Sequence, residues 1–151
     1  MIVALGSDHR GIDLKSKIAD FLKAGGHTVL DFGTNSNESV DYPDFASPVA
    51  QSIVTGKAER GILICGSGIG MCIAANKYKG IRAAICCSAD LAVRARLHND
   101  ANVLCFGADF ITVPEALEIT KTFLDTGFEG GRHQRRLDKI SGIECSFLDN
   151  K

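Results

Sequence analysis

Short β-rich apolar runs alternate with longer amphipathic stretches along the chain, and no hairpin dipeptide joins one run to the next. Residues 2–5 predict a first strand. A helix over 12–22 follows, with apolar side chains at Ile12, Leu14, Ile18, Phe21 and Leu22. Gly25 and Gly26 stop that helix, and residues 27–32 predict a second strand. A polar, turn-rich segment over 34–41 leads to Pro43, which suits the first turn of a helix reaching Val54 and closed by Gly56. Residues 61–65 are wholly apolar, the mark of a strand buried on both faces. A glycine-rich loop and a helix to Lys77 come next, then strand 82–86, helix 89–97, strand 102–106 and helix 114–124. Residues 128–143 predict a last, arginine-bearing helix suited to lie over another subunit. Five strands separated by helices specify a parallel sheet covered on both faces, a three-layer α/β/α arrangement.

At 151 residues the chain is expected to form one domain spanning 1–151, Rossmann-like in its layering and extended by the C-terminal helix. With 45% hydrophobic and 23% charged residues, disorder and fibrous folds are excluded. Seventeen basic residues stand against eighteen acidic ones, a net charge of −1 that offers no field to nucleic acid or anionic lipid. No apolar run approaches the ~20 residues of a membrane span. The apolar start ends at Gly6 without a basic flank, so a signal peptide is not expected. Six cysteines show neither a Cys-x-x-Cys pair nor zinc-finger spacing, which argues against a structural metal. Cys65, Cys86 and Cys105 end or interrupt apolar runs and read as small hydrophobes, a usage that suits a reducing cytoplasm.

In a parallel sheet of this kind, ligands bind beyond the carboxyl ends of the strands. The first strand delivers Asp8, His9 and Arg10 there. A carboxylate beside an imidazole can hold hydroxyls and shuttle protons, but by itself the segment reads better as a helix cap. The third strand delivers Cys65, Gly66, Ser67, Gly68, Ile69 and Gly70 ahead of a helix. Closely spaced glycines let backbone amides converge on an anion. The spacing is not that of a dinucleotide site, since Met71 stands where a third glycine is needed, and no Gly-Lys-Ser/Thr makes a P-loop. The thiol of Cys65 is either a thiolate favoured by those amides or a buried apolar side chain. His98, at the predicted end of the fourth helix, is either part of a helix stop or a general acid or base.

The tail carries Gly130-Gly131-Arg132-His133-Gln134-Arg135-Arg136. On a helix, Arg132 and Arg136 lie one turn apart on the same face. Their repulsion is relieved by an anion between them, or by solvent alone. The absence of an aromatic platform beside this run speaks against nucleic acid.

Together these segments resemble the ribose-5-phosphate isomerase B family, which includes galactose- and allose-6-phosphate isomerases. The resemblance runs through Ser7-Asp8-His9, Asp41-Tyr42-Pro43, the 61–70 segment, Ile73-Ala74-Ala75-Asn76-Lys77, Gly80-Ile81-Arg82-Ala83, His98-Asn99-Asp100 and Glu129-Gly130-Gly131-Arg132-His133. It implies an aldose–ketose isomerase of the pentose phosphate pathway that needs neither metal nor nucleotide cofactor. Cys65 matches the family's base, which moves a proton between C2 and C1 through a cis-enediolate. Gly66, Ser67, Gly68, Ile69 and Gly70 match the loop that holds the enediolate oxygens. His98 matches the ring-opening acid/base. Asp8 and Asn99 match sugar-hydroxyl contacts, Tyr42 a pocket wall, and His9, Arg132 and Arg136 the phosphate end.

Two positions bear on the resemblance, and the second departs from the family pattern. Met71 stands where another branch has a glutamate base, which leaves Cys65 as the candidate, and Asp109 stands where an arginine often reaches the substrate. A carboxylate there repels phosphate unless it is turned away. The resemblance further implies a homodimer with shared active sites, some members pairing into tetramers. The other cysteines are expected to be structural or inert. A six-carbon phosphosugar isomerase and a non-catalytic phosphosugar-binding module are the rival readings.

Overall fold

The computed structural model describes residues 1–146; residues 147–151, which the expected domain includes, lie outside the described residues. Five strands, β1 (Ile2–Ser7), β2 (Thr28–Asp31), β3 (Arg60–Cys65), β4 (Ala83–Ile85) and β5 (Val103–Gly107), pair in parallel in the order β2-β1-β3-β5-β4. The helices between and after them are α1 (Ile12–Ala24), α2 (Pro43–Val54), α3 (Ile69–Ala75), α4 (Ala89–Asn99), α5 (Val113–Asp125) and α6 (Arg132–Ser146).

Alternation along the central strands sorts the interior into two cores. Val3, Leu5, Ile62, Ile64, Leu104 and Phe106 face one side of the sheet, where they meet α1, α4 and α5 through Ile18, Leu22, Ala92, Ile119 and Phe123. Ala4, Leu63, Cys65, Val103 and Cys105 face the other, against Val49 and Ala50 of α2 and Met71 of α3. Successive side chains of a strand point to opposite faces, so an unbroken apolar run such as Ile62-Leu63-Ile64 fits only a strand covered twice. Each fully buried Leu, Ile or Phe contributes about 1.5–3 kcal/mol, which makes these two cores the main stabilising term. The expected three-layer architecture is present. Among the described residues no helix is long and apolar enough to cross a membrane.

Expected boundaries shift by a few residues, and three of the shifts have a visible cause. The last helix starts at Arg132 and not at 128, because Gly130 and Gly131 hold φ of 72° and 56°, left-handed values that no helical turn contains. α4 continues through His98 to Asn99 and is stopped by Asp100 at φ 43°, so His98 lies inside the helix. α3 ends at Ala75, short of Lys77. There the Asn76 side chain accepts from the Ala83 N–H at 2.8 Å and donates to the Ala83 carbonyl at 2.9 Å, tying the helix end to β4.

From β1 the chain moves outward to β2, then returns to β3 on the other side of β1. The connections leaving β1 and β3 diverge at that point, opening a crevice at their carboxyl ends. Asp8 and Cys65 stand on its two sides.

Candidate active site

Cys65 is buried at the carboxyl end of β3, and the Gly68 N–H donates to its Sγ at 3.2 Å. Gly68 holds φ of 78°, and a Cβ there would lie 2.8 Å from the Phe106 carbonyl carbon, so both conformation and space demand glycine. The Ser67 Oγ accepts from the Ile69 N–H at 3.2 Å, which keeps the exposed hydroxyl at the loop's outer edge. An amide that donates to this sulfur is also the kind of donor that stabilises a developing oxyanion.

Around this loop stand the other residues expected at the strand ends. Asp8 is buried and does not cap α1, which has no side-chain cap; its Oδ1 accepts from the Arg10 N–H at 2.9 Å. That turn, with the Asp8 N–H donating to the Ile64 carbonyl at 3.2 Å, fixes the carboxylate beside the end of β3. His9 Nδ1 accepts from the Val40 N–H at 3.2 Å, which leaves Nε2 as the protonated nitrogen of its neutral ring. Tyr42, just ahead of α2, lays its ring on Gly70, where a Cβ would sit 2.5 Å from the tyrosine Cζ. Met71 is buried among apolar neighbours and offers nothing to the crevice.

Asp109 does not face the crevice as a free carboxylate. The Arg10 Nη2 meets its Oδ2 at 2.7 Å, and the pair lies against Gly66, within 3.0 Å of where a Cβ would be. Arg10 was not singled out in the sequence, although it sits in the same Asp8-His9-Arg10 segment.

His98, Asn99, Arg132 and Arg136 gather elsewhere. The end of α4 lies at the amino edge of the sheet, where Arg82, one residue ahead of β4, donates from Nε to the carbonyls of Asn99 at 3.1 Å and Asp100 at 2.9 Å. The Glu129 N–H donates to the Leu97 carbonyl at 3.1 Å, bringing the start of α6 alongside. His98 stacks on His133, centroid to centroid 4.4 Å with 13° between ring planes. The Glu129 Oε2 stands 3.9 Å from His98 Nε2 and 3.6 Å from His133 Nε2. Burial, then the neighbouring His98, pushes His133 below the usual histidine range. Arg132 and Arg136 are exposed on the first turns of α6. The eleven residues of α4 span about 16 Å between the two edges, so one chain does not bring His98 to Cys65.

The thiol under its glycine loop and the basic edge thus stand at opposite ends of the sheet, and the sequence comparison decides the family. The profile of the Ribose/Galactose Isomerase family matches residues 3–140. The chain belongs to that family. It is 46% identical over 142 residues to ribose-5-phosphate isomerase B of Escherichia coli strain K12, covering 94% of this chain and 95% of that protein. The structure of ribose-5-phosphate isomerase B from Clostridium thermocellum matches with a TM-score of 0.96 at 51% identity, over 97% of this chain and 99% of that one. That of the Mycoplasma genitalium enzyme, with ribulose 5-phosphate bound, matches with a TM-score of 0.91 at 46% identity, over 95% of each chain.

The thiols of this chain differ in their surroundings. Cys86 is pushed up to about 12 by burial. Cys72, half-buried on α3, is pulled down to about 7, chiefly by a hydrogen bond from the Cys105 thiol. His133 and Glu129 are the other residues that sequence reasoning left without a role.

Proposed function

We propose that the protein interconverts ribose 5-phosphate and ribulose 5-phosphate in a site built from two copies of the chain. The observation that carries this reading is the Cys65 thiol at the end of a central strand, its sulfur receiving the Gly68 amide inside a loop of further amides. A group that takes a proton from carbon, surrounded by donors for the oxygens that gain charge, is what enolisation requires.

Each step has a residue of suitable chemistry. Ribose 5-phosphate enters as a furanose, and His98 of the partner subunit opens it by proton transfer at the ring oxygen and the O1 hydroxyl. The Cys65 thiolate removes the C2 proton, giving a cis-enediolate whose oxygens are held by the 66–70 amides and the Ser67 hydroxyl. The same sulfur returns the proton to C1 while one proton passes from O2 to O1 by way of the Ser67 hydroxyl, which leaves the ketose with its carbonyl at C2. Asp8 and the partner's Asn99 accept and donate at the sugar hydroxyls, and Tyr42 walls the pocket. His9 and the partner's Arg132 and Arg136 take the phosphate.

The separation of the two halves within one chain supports sharing between subunits. A two-fold axis that places one basic edge over the other copy's crevice creates two equivalent sites at once. Exposed apolar residues support such a contact. Ile69, Ile85 and Phe110 flank a cleft of about 310 Å³ beside the glycine loop, and Ile140 and Ile143 flank one of about 400 Å³ at the basic edge. Patches of this kind mark interaction surfaces. Free cysteines suit a cytoplasmic enzyme of pentose phosphate metabolism.

The test is a coupled assay with ribose 5-phosphate, allose 6-phosphate and galactose 6-phosphate, joined to one variant. His98→Asn is expected to bind ribose 5-phosphate and turn it over poorly, yet to keep C2 deuterium exchange on an acyclic analogue. Preference for a six-carbon sugar overturns the substrate assignment. Binding without turnover by the unaltered protein makes it a phosphosugar-binding module.

A further inference from the structure

We propose that His98, Glu129 and His133 form a binding site for a divalent transition-metal ion of the zinc class, and that its occupation blocks the isomerase. The inhibitory half rests on the assignment of His98 to ring opening; the binding half stands apart from it.

Three ligand atoms converge here. One nitrogen from each imidazole and one carboxylate oxygen of Glu129 all lie within 4.8 Å of one another. The two nitrogen–oxygen separations are 3.6 and 3.9 Å. Ligand atoms of a tetrahedral zinc site with bonds of about 2.0–2.1 Å lie about 3.3–3.4 Å apart, so the His133 edge is long by about 0.3 Å and the His98 edge by about 0.5 Å. Two imidazoles and a carboxylate fill three positions and leave a fourth for water or a sugar oxygen.

A second observation points to a ligand. His133 is only 3% exposed, and neither of its ring nitrogens has a hydrogen-bond partner. A buried polar atom left unpaired is costly, and an ion at Nε2 removes that cost for one of the two. Glu129 supplies the negative charge that a cation needs beside Arg132 and Arg136, and its backbone is anchored to the Leu97 carbonyl.

The stacked arrangement sets the consequence for activity. Rings only 13° from parallel aim their lone pairs side by side, whereas an ion must lie near the plane of each ring. His133 is packed in place, so the half-exposed His98 ring has to turn toward the ion. Once turned and ligated, its nitrogen no longer exchanges protons with a substrate oxygen.

The experiment uses the full chain carrying Cys87→Ser and Cys145→Ser, which removes the two exposed thiols that would compete for metal. Chelator-washed protein is titrated with Zn²⁺ by calorimetry and with Co²⁺ by absorbance, and turnover of ribose 5-phosphate is followed over the same titration. The expected result is one ion per chain, affinity lowered at least about tenfold by Glu129→Gln and by His133→Gln, and turnover that falls with occupancy and returns with chelator. Substoichiometric binding, unchanged affinity in Glu129→Gln, or a sulfur-to-cobalt charge-transfer band overturns the site. Glu129 is exposed, so that variant remains informative even where His133→Gln fails to fold. One ion per chain, lost in Glu129→Gln but without effect on turnover, upholds the site and overturns both the inhibition and the ring-opening role of His98.

Discussion

Cys65 closes β3 at the carboxyl edge of the sheet, whereas His98 lies in the last turn of α4 at the amino edge. A composite site predicts complementation between two inactive variants. Cys65→Ala and His98→Asn, unfolded together and refolded, give heterodimers in which one site pairs intact Cys65 with intact His98 and the other has neither. Half of the dimers are mixed and each has one working site, so about a quarter of unaltered activity should return. Steady-state assays of the refolded mixture check this, and no recovery places both residues in one chain's site.

Cys65→Ala alone should lower kcat at least about a hundredfold, since proton transfer by a positioned base contributes roughly 10²–10⁴-fold. The sulfur borders the crevice, so the thermal midpoint should change little. Calorimetry and a coupled assay on the same sample separate the two effects.

Arg132→Ala and Arg136→Ala should each reduce kcat/KM for ribose 5-phosphate by about 10–150-fold, the equivalent of roughly 1.5–3 kcal/mol for a lost charge-assisted hydrogen bond. Both side chains are exposed, so stability should be unaltered. An equal loss with an unphosphorylated sugar gives α6 a structural role instead.

Asp109→Asn should lower KM for the phosphorylated sugar. The substitution removes a carboxylate beside the glycine loop and frees Arg10, with which Asp109 pairs at 2.7 Å. An exposed pair contributes little, so the gain should be no more than about fivefold and should shrink as salt is added. A raised KM at low salt means that the ion pair positions the loop.

Thiol labelling should depend on pH in a residue-specific way. With Cys72 pulled down to about 7, its thiolate fraction rises through neutrality, so alkylation should accelerate with a midpoint near pH 7. Cys86, pushed up to about 12, should stay unlabelled over that range. Peptide mapping after brief iodoacetamide treatment reads both, and equal labelling at pH 7 contradicts the difference.

The strand positions and the helix over Pro43–Val54 were legible because their signals are local. Unbroken apolar runs, an N-terminal proline and a closing glycine act within a few residues of where they stand. The 66–70 loop was legible for the same reason, since glycine spacing directly governs where its amides point. The cap reading of Asp8 failed because the carboxylate turned to its own Arg10 amide, a choice fixed by the hydrogen bond between the Asp8 N–H and Ile64 on another strand. The early helix start at 128 failed because two left-handed glycines, placed where Glu129 docks on Leu97, interrupt an otherwise helical pattern.

The alternation of short apolar runs with amphipathic stretches along the chain by itself determined the layered α/β architecture, and the run of matching motifs identified the family. Tertiary structure decided which edge each functional group occupies. Strand order and helix direction separate Cys65 from His98, pair Arg10 with Asp109, and stack His133 on His98 beneath Glu129. Those relations join residues tens of positions apart, and only the packing of elements against one another brings such residues within a few ångströms.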